Sequence, residues 1–228
     1  IEAHFPMPKL KFPKMWEDLS NQHVLVMEEI THPTLEDHLE NGTLTWPDML
    51  QLFRIHGAFM FGIGTFHGDL HPGNAMMDDE GNFHFIDTGA ICNAPEHVRN
   101  ALFGFFYFLA KGELKNAFDA MLTMAGVRPE GTTLQTYYDS MNELYDGFVG
   151  TSVSEVSLTE QMMKTVKAAV LAGCAFGEEA FPIIRSLMYM DGMVLKGHPN
   201  VDLISSMGPY LDEFSVLIDP HSIIEPQA

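Results

Sequence analysis

The chain has 228 residues, 46% hydrophobic and 19% charged, which is enough to bury a core as one large domain or two small ones and too apolar for disorder. Its 31 acidic against 12 basic residues give a formal net charge of −19, a field that repels phosphate backbones and anionic lipid surfaces and argues against nucleic acid as a partner. Cys92 and Cys174 show no CxxC spacing, which excludes a disulfide scaffold and a cysteine zinc site, and no apolar run reaches the roughly 18 residues of a membrane span.

A reducing, intracellular setting is the default expectation, cytoplasmic or peripheral to a membrane. Pro6, Pro8 and Pro13 predict an extended lead-in over residues 1–20. That start lacks a signal peptide's apolar core, and the sequence reads as a chain picked up midway. "QHVLVMEEI" (22–30) is β-branched and apolar and predicts a buried strand. "THPTLEDHLENG" reads as polar and turn-rich. Thr45 then offers an N-cap, with Pro47 in the first turn and Asp48 at N3, ahead of a mostly buried helix ending among Gly62 and Gly64. "NAMMD" and "NFHFID" flank "DEGN", predicting a hairpin with Gly81 at its left-handed position. From Asn93 the pattern is helical, over 95–111, 113–125, 134–149, 158–173, 178–195 and 203–217. Strand, helix, hairpin and helical mass give an α+β fold, mostly α-helical. The Phe-rich run "LFGFFYFL" reads first as core, and alternatively as a groove for a prenylated lipid.

The chemistry concentrates in "FHGDLHPGNAMMDDEGNFHFIDTGAI", residues 66–91. Asp69 follows a helix, Asn74 comes five positions later, and Asp87 ends the hairpin before Thr88-Gly89. A carboxylate, an amide oxygen and a second carboxylate gathered by a hairpin suit Mg²⁺ with phosphate oxygens. Asp69 is then left to accept or orient a hydroxyl proton. The pattern is H-x-D-x-x-x-x-N followed by D-x-G, as in kinase-like enzymes. The competing chemistry is a zinc or iron site on His67, Asp69 and His71, for which no third His or Cys stands at a recognisable spacing. Asp69 and Asn74 could also simply cap loops.

"HGDLHPGN", the hairpin and "IDTG" resemble the UbiB/AarF atypical kinase family, the ADCK group linked to ubiquinone biosynthesis. "LSNQHVLVMEEI" resembles that family's hinge, and "IIRSLMYMDGMVLKGHPNVDLISSMGPYL" resembles its C-terminal helix pair, with an acid-Gly turn at Asp191-Gly192. The resemblance covers roughly residues 20–215 and implies a protein-kinase-like C-lobe over 21–228. Within it the hinge is 24–31, the catalytic loop and metal turn 66–90 and the helical remainder 95–217, with 1–20 leading in from an N-lobe outside this chain. It implies ATP and Mg²⁺ as cofactors and Asp69 as catalytic acid. Asn74 and Asp87 would be metal ligands, Met27, Glu28 and Glu29 would meet adenine mainly through backbone atoms, and His67 would be a buried structural member of the loop. Implied partners are a nucleotide and an isoprenoid lipid or quinone-biosynthesis proteins.

Three departures stand against the family pattern. Thr88 replaces the aromatic of D-F-G, Thr31-His32-Pro33 follows the acidic pair where Gly is usual, and no nucleotide loop, β3-type lysine or K-x-G-Q element precedes residue 20. Only "TGAICNAPEH" separates Asp87 from the next helix, with Asn93 as its expected cap. That is too short to dock a peptide, and it favours a small-molecule acceptor or ATP hydrolysis coupled to lipid handling. The alternatives are a pseudokinase scaffold that binds nucleotide weakly or not at all, and a small-molecule phosphotransferase of the aminoglycoside or choline kinase type.

Overall fold

Two capped helices set the frame that holds the hairpin. Thr34 and Thr45 each accept from the N3 backbone while Asp37 and Asp48 return the bond, the reciprocal pairing that fixes a helix start. They open α1 (Leu35–Glu40) and α2 (Trp46–Gly57). The first of these was read as turn-rich; its Leu35 and Leu39, one turn apart, are both buried, and with the cap they outweigh the polar composition. The computed structural model describes residues 6–224, so residues 1–5 of the expected lead-in lie outside it.

A π-helical turn, Ala58–Ile63, continues α2 and ends at Gly64 in the left-handed conformation. Strand β1 is Leu10–Lys11, β2 Thr65–His67, β3 Ala75–Met77, β4 Phe83–Phe85 and β5 Ile91–Asn93. The hairpin β3–β4 turns through Gly81 at φ 73, as expected, and β1 adds in parallel to β4. Strands β2 and β5 form a second, antiparallel pair. The helical remainder is α3 (Glu96–Ala110), α4 (Leu114–Met124), α5 (Gly131–Tyr145), α6 (Leu158–Leu171), α7 (Ala180–Gly197), α8 (Leu203–Phe214) and the short α9 (Pro220–Ile224). The fold is α+β and mostly helical.

Four local expectations are corrected. Residues 22–30 are not a buried strand: they carry isolated bridges to Met15 and within 21–24, and Val24, Leu25 and Met27 are 52%, 57% and 42% exposed. The apolar run is real, but no sheet among the described residues covers it. Asn93 does not cap α3. It ends β5 with its side chain accepting from Thr65 Oγ1 at 2.7 Å, and Pro95 holds the cap position. The third and sixth expected helices end early, at Tyr145 and Phe214. Asp191-Gly192 is no turn but lies inside α7.

The Phe-rich stretch forms core. Phe103, Phe105, Phe106 and Phe108 on α3 are at most 2% exposed, and Phe105 meets Tyr145 edge-on at 6.1 Å, which leaves no groove there for a lipid. Asp191 on α7 is 2% exposed and accepts from Ser157 Oγ, Leu158 N and Thr159 N at 2.6, 3.1 and 3.0 Å, so it caps α6 from a neighbouring helix. Replacing Asp191 by Ala strands those buried donors and is expected to cost about 3 kcal/mol, read as a lowered urea midpoint at unchanged m-value. A loss under about 0.5 kcal/mol would show that water serves the α6 terminus equally well.

Candidate active site

The loop between β2 and β3 is short because Gly68 lies against β5. Its N–H donates to Ala90 O at 2.8 Å, and a Cβ there would stand 2.2 Å from Cys92 Sγ, so no larger residue fits. Asp69 follows, and a 3₁₀ turn, Pro72–Asn74, leads into β3. His71 caps that turn, its Nδ1 accepting from Gly73 N at 3.1 Å. The hairpin register places Ala75 opposite Phe85, and Ile86 N continues the ladder to Asn74 O at 3.3 Å. Asn74 is thereby brought beside the strand end that leads to Asp87.

His67 ties the two halves together. The ring is 5% exposed; its Nδ1 accepts from Asp69 N at 3.2 Å and its Nε2 bonds the carbonyl of Asp87. One tautomer serves both contacts, with the hydrogen on Nε2. Both nitrogens being committed to backbone, His67 offers no lone pair to a metal, and the His67–Asp69–His71 alternative is not assembled.

Asn74 Nδ2 donates to Asp69 O at 3.0 Å, which orients the amide and leaves its Oδ1 without a partner among the described residues. Asp87 is exposed; its Oδ1 accepts from Gly89 N at 2.9 Å, closing the D-x-G turn without an aromatic, while Oδ2 makes no hydrogen bond to the described residues. The available donors are therefore oxygens, the set that suits Mg²⁺.

Helix α7 supplies Arg185, which the resemblance to the family's C-terminal helix pair already singled out, and two residues the sequence reading passed over, Ser186 and Tyr189. Arg185 Nε donates to Gly68 O at 2.8 Å. The Tyr189 hydroxyl faces the Asp69 carboxylate, whose negative charge raises the Tyr189 pKa. Ser186 meets buried His56 Nε2 at 2.6 Å and reaches His67 O at 3.5 Å. Arg185 and Tyr189 stand at i and i+4, and that spacing was the signal available in sequence.

The hinge residues stand apart from this constellation. Glu28 N donates to Lys14 O at 2.8 Å and Trp16 N to Val26 O at 3.0 Å, while Lys14 N donates to Glu28 Oε2 at 3.1 Å. Met27, between those rungs, makes no backbone hydrogen bond, and Glu29 is exposed.

A small hairpin bearing an amide and a carboxylate, set on a helical mass and tied to a preceding acid, defines a kinase-like lobe. The model of the ABC1 atypical kinase-like domain matches residues 2–121, and the chain belongs to that family. It is 23% identical over 222 residues to "Probable protein kinase UbiB" of Pasteurella multocida, covering 94% of this chain and 42% of that protein. It is 24% identical over 219 residues to "Protein ACTIVITY OF BC1 COMPLEX KINASE 3, chloroplastic" of Arabidopsis thaliana, covering 92% and 30%. The chain thus spans less than half the length of these curated relatives.

Burial pushes the pKa of His56 from the ordinary 6.5 down to about 3, helped by neighbouring His67. Between those values the unfolded chain binds a proton that the folded chain refuses, so stability is full above pH 6.5 and falls as pH drops toward 3. The expected cost by pH 5 is about 2 kcal/mol. Urea titrations at pH 7 and pH 5 should show that much less acid sensitivity in His56→Leu; an unchanged difference would place the proton uptake elsewhere.

Proposed function

We propose that this chain is the catalytic lobe of an ATP- and Mg²⁺-dependent atypical kinase or ATPase of UbiB type. The observation that carries the reading is the orientation of Asn74. With its amide hydrogens given to Asp69 O, its carbonyl oxygen is free beside Asp87, and the two side chains offer a hard cation the oxygens it prefers. Such an ion, when bound, would neutralise charge on the nucleotide's phosphates. Asp69 acts on the acceptor hydroxyl or water, accepting or orienting its proton, with the Tyr189 hydroxyl beside it. The backbone of Met27 and Glu29 meets the adenine, and Glu28 is spent on Lys14.

Two features bear on the acceptor. The stretch after Asp87 is pinned at once, because Ile91–Asn93 pairs with Thr65–His67; no long segment is left to dock a peptide, which supports a small-molecule acceptor or plain ATP hydrolysis. The relatives named for UbiB and for the BC1 complex support a role in isoprenoid quinone biosynthesis or lipid handling. No described helix is long and apolar enough to cross a membrane, which suits an intracellular protein, cytoplasmic or peripheral to a membrane. Phe12, Met15, Leu19 and Leu25 are exposed, apolar surface of the kind an N-terminal lobe would cover. Family membership sets aside the aminoglycoside and choline kinase alternative.

Calorimetric titration of Mg²⁺-ATP into the full-length protein tests the assignment. Binding should require magnesium and weaken at least about tenfold in Asp87→Asn, whereas Asp69→Asn should keep binding and lose about 10²-fold or more in turnover. Absence of nucleotide binding by the folded wild-type protein would leave the pseudokinase scaffold as the correct reading.

A further inference from the structure

We propose a second cation site, independent of the nucleotide reading, at His32, Asp78 and His84, of the class that takes zinc or a similar divalent transition metal. Among the described residues these are the one group of three His, Cys, Asp or Glu side chains whose ligand atoms all lie within 4.8 Å of one another.

The backbone explains the convergence. Thr34 bridges antiparallel to Met76, and Met76 pairs with His84 across the hairpin. Side chains alternate along a strand, so residues two apart share a face. Two steps back from Thr34 is His32, and two steps on from Met76 is Asp78. His32 therefore stands opposite Asp78 in the neighbouring row, with His84 diagonal to both, all on the sheet face away from buried Phe83 and Phe85. Pro33 follows His32 and holds it extended, and Pro33 O accepts from Met77 N at 3.1 Å, so the register of this added strand is fixed by backbone.

The distances suit a metal as well as they suit an ion pair. His84 Nε2 stands 3.2 Å from Asp78 Oδ2, and in a tetrahedral site with bonds near 2.0 Å neighbouring ligand atoms are about 3.3 Å apart. The His32 and His84 rings lie 5.1 Å apart at 40°, which exposed His32 can close by side-chain rotation. Asp78 is supported as a ligating carboxylate usually is. Its Oδ1 accepts from Glu80 N at 3.0 Å and Asn82 N at 2.8 Å, and its Oδ2 from Asn82 Nδ2 at 2.8 Å. Two imidazoles and one carboxylate form a borderline donor set, unlike the all-oxygen set at Asn74 and Asp87, and this separates the metals the two sites would take. Three protein ligands leave one position to solvent. A metal here would staple the connection that follows the proposed hinge to the hairpin that carries Asn74 and Asp87.

The test uses the full-length protein stripped of metal, titrated with Zn²⁺ against a chromophoric chelator and, separately, with Co²⁺ followed by its visible absorption. The expected result is one equivalent of Zn²⁺ bound with Kd below about 1 µM and a low-coordinate Co²⁺ spectrum. Both should weaken at least about tenfold in His32→Ala and in Asp78→Asn, and neither should change in His23→Ala or Asp87→Asn. His32 is exposed on a connection, so its variant keeps the fold, verified by circular dichroism. Wild-type protein that binds no zinc, or zinc binding insensitive to His32→Ala but lost in Asp87→Asn, would overturn the proposal.

Discussion

The loop that carries the proposed catalytic residues depends on one imidazole. His67 sits at the end of β2, takes the N–H of Asp69 on one nitrogen and gives its hydrogen to the carbonyl of Asp87 on the other. Two loop residues 18 positions apart in sequence, counting from Asp69 to Asp87, are thereby fixed on one small ring. The ring itself is held by packing, edge-on to Phe85 at 5.9 Å. A hydrogen-bonded ring with both nitrogens used is rigid in orientation as well as position, and sites need their acting groups held to fractions of an ångström.

The acidity of the chain looks hostile to a nucleotide until range is considered. At physiological ionic strength exposed charges act over about 8 Å, so a formal net charge of −19 is felt locally rather than as a whole. Beside the proposed site the decisive charges are few: Asp69, Asp87 and the guanidinium of Arg185, which is anchored at Gly68 O. A divalent cation shared by Asn74, Asp87 and phosphate would reverse the sign of that neighbourhood. The surplus acids lie largely on exposed helix faces, such as Asp139 and Glu143, where they favour solubility and do not bear on the site.

What the sequence revealed, and what it hid, follows from how local each device is. The capping box at Thr45 and Asp48, the left-handed Gly81 and the helical run of α3 rest on residues within a few positions of one another, and all were legible. The hairpin that sets the backbone of Asn74 near the strand end before Asp87 was legible for the same reason. Residues 22–30 misled because an apolar, β-branched run states a preference for cover without saying whether cover is there. Helix α1 was missed because two buried leucines had to be weighed against many polar neighbours. Tyr189, Ser186 and His56 were invisible as site residues, since their partners lie more than a hundred positions away or on another helix.

Those distant partners share one origin, and it explains why a mostly helical mass belongs to the site at all. Helix α7 touches the loop at Gly68 O through Arg185, supports His67 through Ser186 and His56, and sets Tyr189 beside the Asp69 carboxylate. The next turn of the same helix carries Asp191, which caps α6. Arg185 and Ser186 thus tie the middle of one rigid helix to the loop, and Asp191 ties it to the helical core. A loop of irregular backbone cannot hold its own geometry, because its peptide groups lack the ladder bonds of a helix or sheet. Here that geometry is supplied from outside by a helix of 18 residues, whose position is in turn set by the burial of Ile183, Met190, Met193 and Val194. The apolar core thereby determines, through α7, where a carboxylate in an irregular loop is allowed to point.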